Sequence, residues 1–186
     1  MSQSSVNNDL LIERCKKGDQ QAQMAVYKAY YAAMYNTSIR IVKDSFEAED
    51  IMQESFLSAF TKIDSFKGEV TFGAWLKRIV VNNSIQHYRK KQKANEISLD
   101  QVEYRVGDQD EVDPDHEFNN IKAQKVLQTM KMLKDNYRLA LTLYLIEGYD
   151  YEEICEIMDI SYANCRTTIS RAKDRLRNLL KEMAYE

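Results

Sequence analysis

The stretch YEEICEIMDISYANCRTTISRAKDRLR, residues 151–177, decides the fold of the C-terminal part of the chain. Asp150 followed by Glu153 has the pattern of a capping box, which predicts a helix that begins at the next residue after Asp150. The sequence DIS then interrupts this helix, and Ser161 is expected to cap a second one. Asp159 occupies the turn, where a short polar residue tolerates left-handed geometry better than a bulky residue. The stretch therefore predicts two helices joined by a tight turn.

Two short helices in this arrangement are typical of a helix-turn-helix, whose second helix enters the major groove of DNA. The side predicted to pack inward is apolar and consists of Ala163, Cys165, Ile169, Ala172, Leu176 and Leu179. The side predicted to face outward supplies the candidate DNA-binding residues Asn164, Arg166, Thr167, Thr168, Ser170, Arg171 and Lys173. Arg reads guanine through two hydrogen bonds, while Ser, Thr and Lys suit phosphates and base edges. A solvated basic helix in a helical adaptor protein is the alternative interpretation.

The composition extends the helical prediction to the whole chain. Its 186 residues include one Pro and five Gly, and 44% of them are hydrophobic. The segments between these breakers are rich in Ala, Leu, Ile, Lys, Glu and Gln, which favour helices. A chain of this length forms one or two domains. We therefore expect an all-α protein with two small helical domains.

Charge is distributed unevenly, although the net charge is only -3. Residues 77–93 contain six basic side chains and no acidic one, and residues 161–181 contain six basic and one acidic. Between them, EISLDQVEYRVGDQDEVDPDHE carries nine carboxylates and one arginine, holds the only proline and lacks a helical period. This composition predicts an acidic linker at residues 94–117 between domains at 8–93 and 118–182. A solvated loop that only connects the domains is the alternative.

The N-terminal domain is predicted to contain three or four helices, with breaks at Gly18, near residues 44–46 and at DSFKGEVTFG. In FEAEDIMQESFLSAFTKI the apolar stripe is Ile51, Phe56, Leu57, Phe60 and Ile63. The opposite, acidic side carries Glu49, Asp50, Gln53 and Glu54. A later helix is expected to start near Thr71, to bury Phe72, Trp75, Leu76, Ile79 and Val80, and to end in the outward residues Asn82, Asn83, Gln86, His87, Tyr88, Arg89 and Lys90.

Several function classes receive no support from the sequence. The three cysteines have no metal-ligand spacing, and the two histidines have no nearby nucleophile or Gly-rich phosphate loop. We expect no cofactor, no metal site and no catalytic residue, so the chain is not expected to be an enzyme. No apolar run approaches the roughly 18 residues that a membrane span needs, and the N-terminus has no apolar export segment. We therefore expect a cytoplasmic protein that does not insert into a membrane.

Two long segments resemble one known family. EEICEIMDISYANCRTTISRAKDRLRNLL resembles the region 4 helix-turn-helix of bacterial sigma factors, in the extracytoplasmic-function (ECF) group of the sigma-70 family. AEDIMQESFLSAFTKIDSFKGEVTFGAWLKRIVVNNSIQHYRKKQ is similar to region 2 of the same group, in the same order, and the resemblance covers residues 8–182. The chain departs from the family pattern, or from its commonest residue, at Gln86, Lys134, Asp159, Asn164 and Cys165. These departures leave the preferred promoter sequence open.

The resemblance implies a sigma factor that binds core RNA polymerase and directs promoter-specific transcription initiation. It implies that Glu49, Asp50, Gln53 and Glu54 dock on the clamp helices of the largest polymerase subunit, that the flap is a further contact, and that an anti-sigma factor is a partner. It assigns recognition and melting of the minus-10 element to Phe66, Lys67, Asn82, Asn83, Gln86, Arg89 and Lys90, although Phe66 can equally belong to the core. The helix-turn-helix residues would read the minus-35 element.

A stand-alone helix-turn-helix regulator is the alternative function. Such a protein would bind an operator without polymerase. It would leave both the acidic helix and the resemblance to region 2 unexplained.

Overall fold

A computed structural model of the chain describes residues 3–97 and 121–183. These residues form α-helices and short turns, without a β-strand among them, which confirms the predicted all-α class. The chain divides into two compact units, Met1–Asp108 and Gln109–Glu186. The predicted linker lies outside the described residues except for residues 94–97, which form the end of a helix, so that helix extends past the predicted start of the linker.

The first unit is built from four α-helices. They are α1 (Gln3–Lys16), α2 (Gln20–Val42), α3 (Ser45–Thr61) and α4 (Phe72–Ile97), with a 3₁₀ turn at Ile63–Ser65. Asp19 caps α2 by accepting hydrogen bonds from the backbone N–H groups of Gln21 and Ala22, and Asp44 caps α3 through Glu47 N–H. Gly18 has a φ of +78°, so the predicted break after α1 lies at a residue that adopts left-handed backbone without steric cost.

The core of the first unit lies where α2, α3 and α4 pack together. Val26, Met52, Leu76 and Val80 are completely or almost completely buried there. Buried hydroxyls accompany this apolar core. The hydroxyls of Ser84 on α4 and Ser38 on α2 lie 3.0 Å apart, and Ser55 on α3 is hydrogen bonded to α4 through Asn83. Ser38, Ser55 and Ser84 are therefore each hydrogen bonded to a side chain of a neighbouring helix.

One residue of the predicted apolar stripe on α3 is not in the core. Leu57 is 69% exposed, so its predicted burial is wrong. The buried side of α3 is centred on Met52, Ser55 and Ala59, because this side lies against α2 and α4. Leu57 lies on the opposite side of the helix.

The second unit consists of α5 (Ile121–Lys131), α6 (Asp135–Leu141), α7 (Tyr151–Met158) and α8 (Tyr162–Glu182). A π-helical turn, Thr142–Ile146, continues directly from α6. The core of this unit gathers around α8, whose Ile169 and Ala172 are fully buried together with Leu143 and Ile154. The long helix α8 packs against α5, α6 and α7, and the rest of its surface is exposed.

Candidate nucleic-acid interface

The helix-turn-helix has the local geometry that its sequence predicts. Asp150 accepts a hydrogen bond of 2.8 Å from Glu153 N–H, and the Glu153 carboxylate accepts one of 3.1 Å from Asp150 N–H, so the capping box is complete. Asp159 has a φ of +50° and ends α7 in the left-handed conformation, and Ser161 accepts a hydrogen bond of 3.3 Å from Asn164 N–H at the start of α8. These three predictions are confirmed.

The predicted polar side of α8 is largely exposed. Asn164, Arg166, Thr167, Ser170 and Arg171 are all solvent-exposed, on the part of α8 that follows the turn. The N-terminal residues of the second helix are the ones that reach base edges when a helix-turn-helix binds DNA. This side therefore presents two guanidinium groups among short polar side chains, which is the chemistry that reads bases and phosphates.

Two predicted orientations on α8 are wrong. Thr168 was predicted to face outward but is only 9% exposed, and its hydroxyl donates to the Asn164 side-chain oxygen at 3.2 Å. It is buried because it lies between Cys165 and Ala172 on the inner side of the helix. Ala163 was predicted to pack inward but is exposed. Direct contact of Thr168 with DNA therefore does not fit its position.

Lys173 is half-buried instead of fully outward. Its ammonium nitrogen lies 4.0 Å from the centroid of the Tyr144 ring, in a cation–π contact. Tyr144 stacks on Tyr151 with a centroid distance of 5.3 Å and an interplanar angle of 6°, and Tyr151 meets Tyr162 edge-on at 6.1 Å. Burial, followed by the neighbouring Tyr144, raises the pKa of Tyr151.

Sequence reasoning missed this tyrosine cluster, which we define as Tyr144, Tyr151 and Tyr162. A signal was present, since Tyr151 and Tyr162 are the first residues of α7 and α8 and both follow an N-cap. The first residues of the two helices are brought together when a tight turn packs one helix across the other. Tyr144 was harder to find, because a π-helical turn changes the side on which its residues lie.

A buried thiol lies behind the same helices. The Cys165 sulfur is 3.7 Å from the Tyr151 carbonyl oxygen. Burial raises the pKa of the Cys165 thiol to about 11, with a smaller contribution from its hydrogen bond with Cys155. The Cys165 side chain therefore stays a neutral thiol and packs as a small apolar residue.

The predicted minus-10 residues of α4 divide into two groups. Asn82, Gln86 and Lys90 are exposed and recur every four residues, so they share one side of the helix. Lys67, in the loop before α4, is exposed as well, and Arg89 is half-buried. These positions are compatible with the predicted contact to DNA.

Two other predicted minus-10 residues lie against the protein. The half-buried side-chain amide of Asn83 donates a hydrogen bond of 2.9 Å to the Ser55 hydroxyl on α3, so it points toward the protein and its predicted outward orientation is wrong. Phe66 is half-buried and packs on Phe72 and Trp75, with centroid distances of 5.5 Å to each. Of the two alternatives for Phe66, membership of the aromatic core is the one that its contacts favour.

Glu47 on α3 contacts two residues in the C-terminal half of α4, close to Gln86 and Lys90 in sequence. Its carboxylate is 2.7 Å from the Lys91 ammonium and 3.7 Å from the His87 ring nitrogen Nδ1. Lys91 is therefore paired with a carboxylate of the protein, and the His87 ring lies beside the same carboxylate. Gln86 and Lys90, which directly precede His87 and Lys91 in sequence, are exposed.

A second exposed surface lies on α3. Glu49, Asp50, Gln53 and Glu54 are all exposed, which is the orientation that the sequence predicts. Phe46 and Leu57 lie on the same side of the helix and are 77% and 69% exposed. We call these six residues the acidic α3 surface. Apolar side chains among carboxylates are typical of a protein-binding surface, since the apolar groups gain from leaving water and the charges fix orientation.

A metal site and a membrane-spanning helix are absent from residues 3–97 and 121–183. No cluster of three His, Cys, Asp or Glu side chains suited to a metal ion occurs in those ranges. No helix in the same ranges is long and apolar enough to span a membrane.

Two family profiles match the chain. Sigma-70 region 2 matches residues 26–94, and sigma-70 region 4 matches residues 123–176. The first match lies in the unit that carries the acidic α3 surface, and the second contains the helix-turn-helix.

The relatives cover nearly the full length of the chain. The ECF RNA polymerase sigma factor SigW of Bacillus subtilis is 32% identical over 183 residues, which are 92% of this chain and 96% of SigW. The RNA polymerase sigma-H factor of Pseudomonas aeruginosa is 29% identical over 184 residues, 95% of each chain. Among solved structures, the sigma factor RpoE of Bartonella quintana, in complex with the anti-sigma factor NepR, has the same fold with a TM-score of 0.59, at 24% identity over 85% of this chain and 96% of that one.

Proposed function

The chain belongs to the sigma-70 family of RNA polymerase sigma factors, in its ECF group, and on this premise we propose how its two units divide the work of promoter-directed initiation. The first unit docks on core polymerase through the acidic α3 surface and reads the minus-10 element through α4. The second unit reads the minus-35 element through the exposed side of α8. The observation that carries this assignment is the exposure of both surfaces within one chain that contains both sigma regions.

The acidic α3 surface supports the polymerase contact. Glu49, Asp50 and Glu54 present three carboxylates to solvent, and Phe46 and Leu57 add apolar area beside them. Carboxylates that face a basic partner steer encounter and fix the docking orientation, while burial of the two apolar side chains supplies affinity. We propose that the clamp helices of the largest polymerase subunit are this partner, and that the flap contacts the second unit.

The exposed residues of α4 and of the loop before it support the minus-10 contact. Asn82, Gln86 and Lys90 form a polar row with a cation at one end, and Lys67 adds a second cation in the loop before α4. Amide side chains can hydrogen bond the edges of unpaired bases, while the ammonium groups neutralise phosphates. Asn83 and Phe66 contribute indirectly in this proposal, by fixing α4 and the preceding loop.

The exposed side of α8 supports the minus-35 contact. Arg166, Ser170 and Arg171 are exposed in the first half of the helix, where a helix-turn-helix meets base edges. The net charge of -3 implies weak binding of the isolated chain to DNA, because affinity that is independent of sequence comes from phosphate neutralisation. Polymerase supplies the missing affinity by holding both units on one promoter.

The proposal assigns no catalytic role to the chain itself, since the chemistry of RNA synthesis belongs to core polymerase, and it places the protein in the cytoplasm with that enzyme. An anti-sigma factor is a further proposed partner. The related RpoE of Bartonella quintana was solved with such a factor bound, and the acidic α3 surface offers an anti-sigma factor the same exposed apolar side chains that polymerase would use.

The test is to assemble the chain with core polymerase and to sequence the transcripts that the complex initiates on fragmented genomic DNA from the source organism. We expect discrete start sites that share two upstream elements and that disappear without the chain. Asp50→Arg should weaken assembly with core polymerase, whereas Glu69→Arg, a charge reversal at an exposed loop position, is the matched control. A folded chain that forms no complex but binds DNA alone would favour the stand-alone regulator.

A further inference from the structure

The cation–π contact between Lys173 and Tyr144 lies at the edge of the proposed DNA-reading surface. We propose that Tyr144 is a positioning residue for promoter recognition, which holds the Lys173 ammonium where it meets a phosphate of the minus-35 element. This inference rests on the proposed function of the second unit. It concerns a residue outside α8 that would affect DNA binding without being part of the recognition helix.

The position of Lys173 on α8 makes it a phosphate contact and not a base contact. Arg166, Ser170 and Lys173 follow one another at intervals of four and three residues, so they lie along one side of the helix. Arg166 is in the turns next to the N-terminus, which reach base edges, whereas Lys173 lies farther along, where the helix leaves the groove. A lysine at that point meets the DNA backbone, and contacts of this kind fix the orientation of the protein on the duplex.

The surroundings of Lys173 differ from those of Arg175 and Arg177 on the same helix. Arg177 is paired with Asp174, and Arg175 lies 3.8 Å from Glu182. Within the described part of the chain no carboxylate forms an ion pair with Lys173, and its ammonium rests on the Tyr144 ring. An aromatic face holds a cation without neutralising its charge, so the ammonium keeps its attraction for phosphate.

Local backbone geometry explains why Tyr144 reaches α8. Thr142–Ile146 is a π-helical turn, closed by a hydrogen bond of 3.0 Å from Glu147 N–H to the Thr142 carbonyl oxygen. Such turns are rare and often occur at functional sites, because one additional residue per turn redirects the side chains. Leu143 is fully buried in this turn, and the next residue, Tyr144, lies between the core and Lys173.

The tyrosine cluster keeps the Tyr144 ring in one orientation. The parallel stack with Tyr151 and the edge-on contact of Tyr151 with Tyr162 extend from the π-helical turn to the first residue of α8. A lysine side chain has a flexible four-carbon stem, so a fixed aromatic surface below its ammonium reduces the freedom that is lost when phosphate binds.

The experiment is a double-mutant cycle in the complex of core polymerase with the full-length chain. The DNA is a promoter mapped with the wild-type complex, and the affinity is measured as a function of KCl concentration. Tyr144→Leu should weaken promoter binding about two- to fivefold, the range for an exposed cation–π contact. Tyr144→Phe keeps the ring and should restore binding. Lys173→Gln should weaken binding at least as much as Tyr144→Leu and reduce the salt slope by about one unit.

The two residues act together only if their effects fail to add. In the Lys173→Gln background, Tyr144→Leu should produce no additional loss, because the ammonium it positions is absent. A full additional two- to fivefold loss in that background would mean that Tyr144 acts through folding alone and would overturn the proposal. A loss in Tyr144→Phe equal to that in Tyr144→Leu would overturn it too, since the ring face is then irrelevant.

A spectroscopic measurement tests the contact without DNA. In the free full-length chain, the ε-methylene protons of Lys173 should be shifted upfield by the Tyr144 ring, with the shift kept in Tyr144→Phe and lost in Tyr144→Leu. Absence of the shift from the wild-type chain would overturn the proposal even if the proposed function holds. A wild-type chain that gives no promoter complex with polymerase would instead overturn the proposed function, and this inference with it.

Discussion

Asn83 on α4 donates a hydrogen bond of 2.9 Å from its side-chain amide to the hydroxyl oxygen of Ser55 on α3. Ser55 is fully buried, and its hydroxyl donates in turn to the Ile51 carbonyl oxygen at 2.6 Å. This chain of hydrogen bonds joins the helix that carries the acidic α3 surface to the helix that carries the proposed minus-10 residues. Asn83 therefore stabilises the arrangement of both surfaces.

Replacement of Asn83 should affect folding first. We expect Asn83→Ala to lower the free energy of unfolding of the first unit by about 1 kcal/mol, because the Ser55 oxygen loses its partner in a buried site. Asn82→Ala, at the neighbouring exposed position, should change it by less than about 0.5 kcal/mol. Urea unfolding followed by Trp75 fluorescence reports on this unit alone, since Trp75 is the only tryptophan of the chain. Loss of promoter melting in Asn83→Ala at unchanged stability would instead indicate direct contact with DNA.

Arg171 and Ile169 should separate DNA reading from folding within α8. Arg171 is exposed and Ile169 is fully buried two residues earlier. Arg171→Ala should reduce transcription from a minus-35-dependent promoter by about 5- to 150-fold, equivalent to about 1–3 kcal/mol, at unchanged stability. Ile169→Ala should instead lower the free energy of unfolding by about 2–5 kcal/mol. Transcription that stays at the wild-type level in Arg171→Ala would show that this side of α8 does not face the promoter.

The stability of the helix-turn-helix should depend on how easily residue 159 adopts the left-handed conformation. Asp159 has a φ of +50°, a conformation that costs L-residues roughly 1–2 kcal/mol and glycine almost nothing. Asp159→Gly should therefore slow hydrogen exchange of the α7 and α8 amides, and Asp159→Val should accelerate it. Lys43, with a φ of +64° in the first unit, provides the matched control. Lys43→Gly should leave hydrogen exchange in α7 and α8 unchanged. If both glycine variants slowed exchange in α7 and α8 equally, the effect would not come from the backbone conformation of residue 159.

The three cysteines should differ in reactivity. Cys15 and Cys165 are buried, and burial raises the pKa of both thiols, whereas Cys155 is half-exposed. At pH 8 we expect iodoacetamide to alkylate Cys155 in the folded chain while the other two react only after unfolding, because the thiolate is the reactive form. Mass spectrometry of tryptic peptides measures this directly. Alkylation of Cys165 as fast as Cys155 would contradict its buried position.

The Cys165 thiol makes the free energy of unfolding of the second unit depend on pH. Because the pKa of Cys165 rises from the ordinary value of 9.0 to about 11 on folding, the unfolded chain releases this proton first. The resulting stabilisation is complete below pH 9 and is lost as the pH rises to about 11. The free energy of unfolding should therefore fall more steeply across this range in the wild-type chain than in Cys165→Ala. Equal slopes in the two proteins would show that other groups account for the fall.

Local signals were the most predictable part of the structure. The capping box of Asp150 and Glu153, the left-handed Asp159 and the N-cap Ser161 were all predicted from residue type and spacing, because each depends on atoms only a few residues apart. The exposure of the α3 carboxylates was likewise predicted from residue type and spacing. The all-α class followed from composition for a similar reason, as helix propensity is a property of single residues.

Orientations at the edges of helical stripes were not predictable. Leu57 was placed inside because it is apolar, and Thr168 was placed outside because it is polar, yet the packing of neighbouring helices decides both. Asn83 was assigned to DNA because its partner, Ser55, lies 28 residues away in sequence. The contact of Tyr144 with Lys173 depends on a π-helical turn, for which single-sequence periodicity gives no signal.

The buried serines of the first unit determine more than its stability. Apolar side chains of similar size tolerate a shift of one helix along another at moderate cost, but the hydroxyls of Ser38, Ser55 and Ser84 would each lose a partner in a shifted arrangement. The axial register of α2, α3 and α4 is therefore encoded by hydroxyl groups. Because the exposed sides of α3 and α4 rotate with that register, the angle between the acidic α3 surface and the proposed DNA-binding side of α4 is set by three buried serines that belong to neither surface.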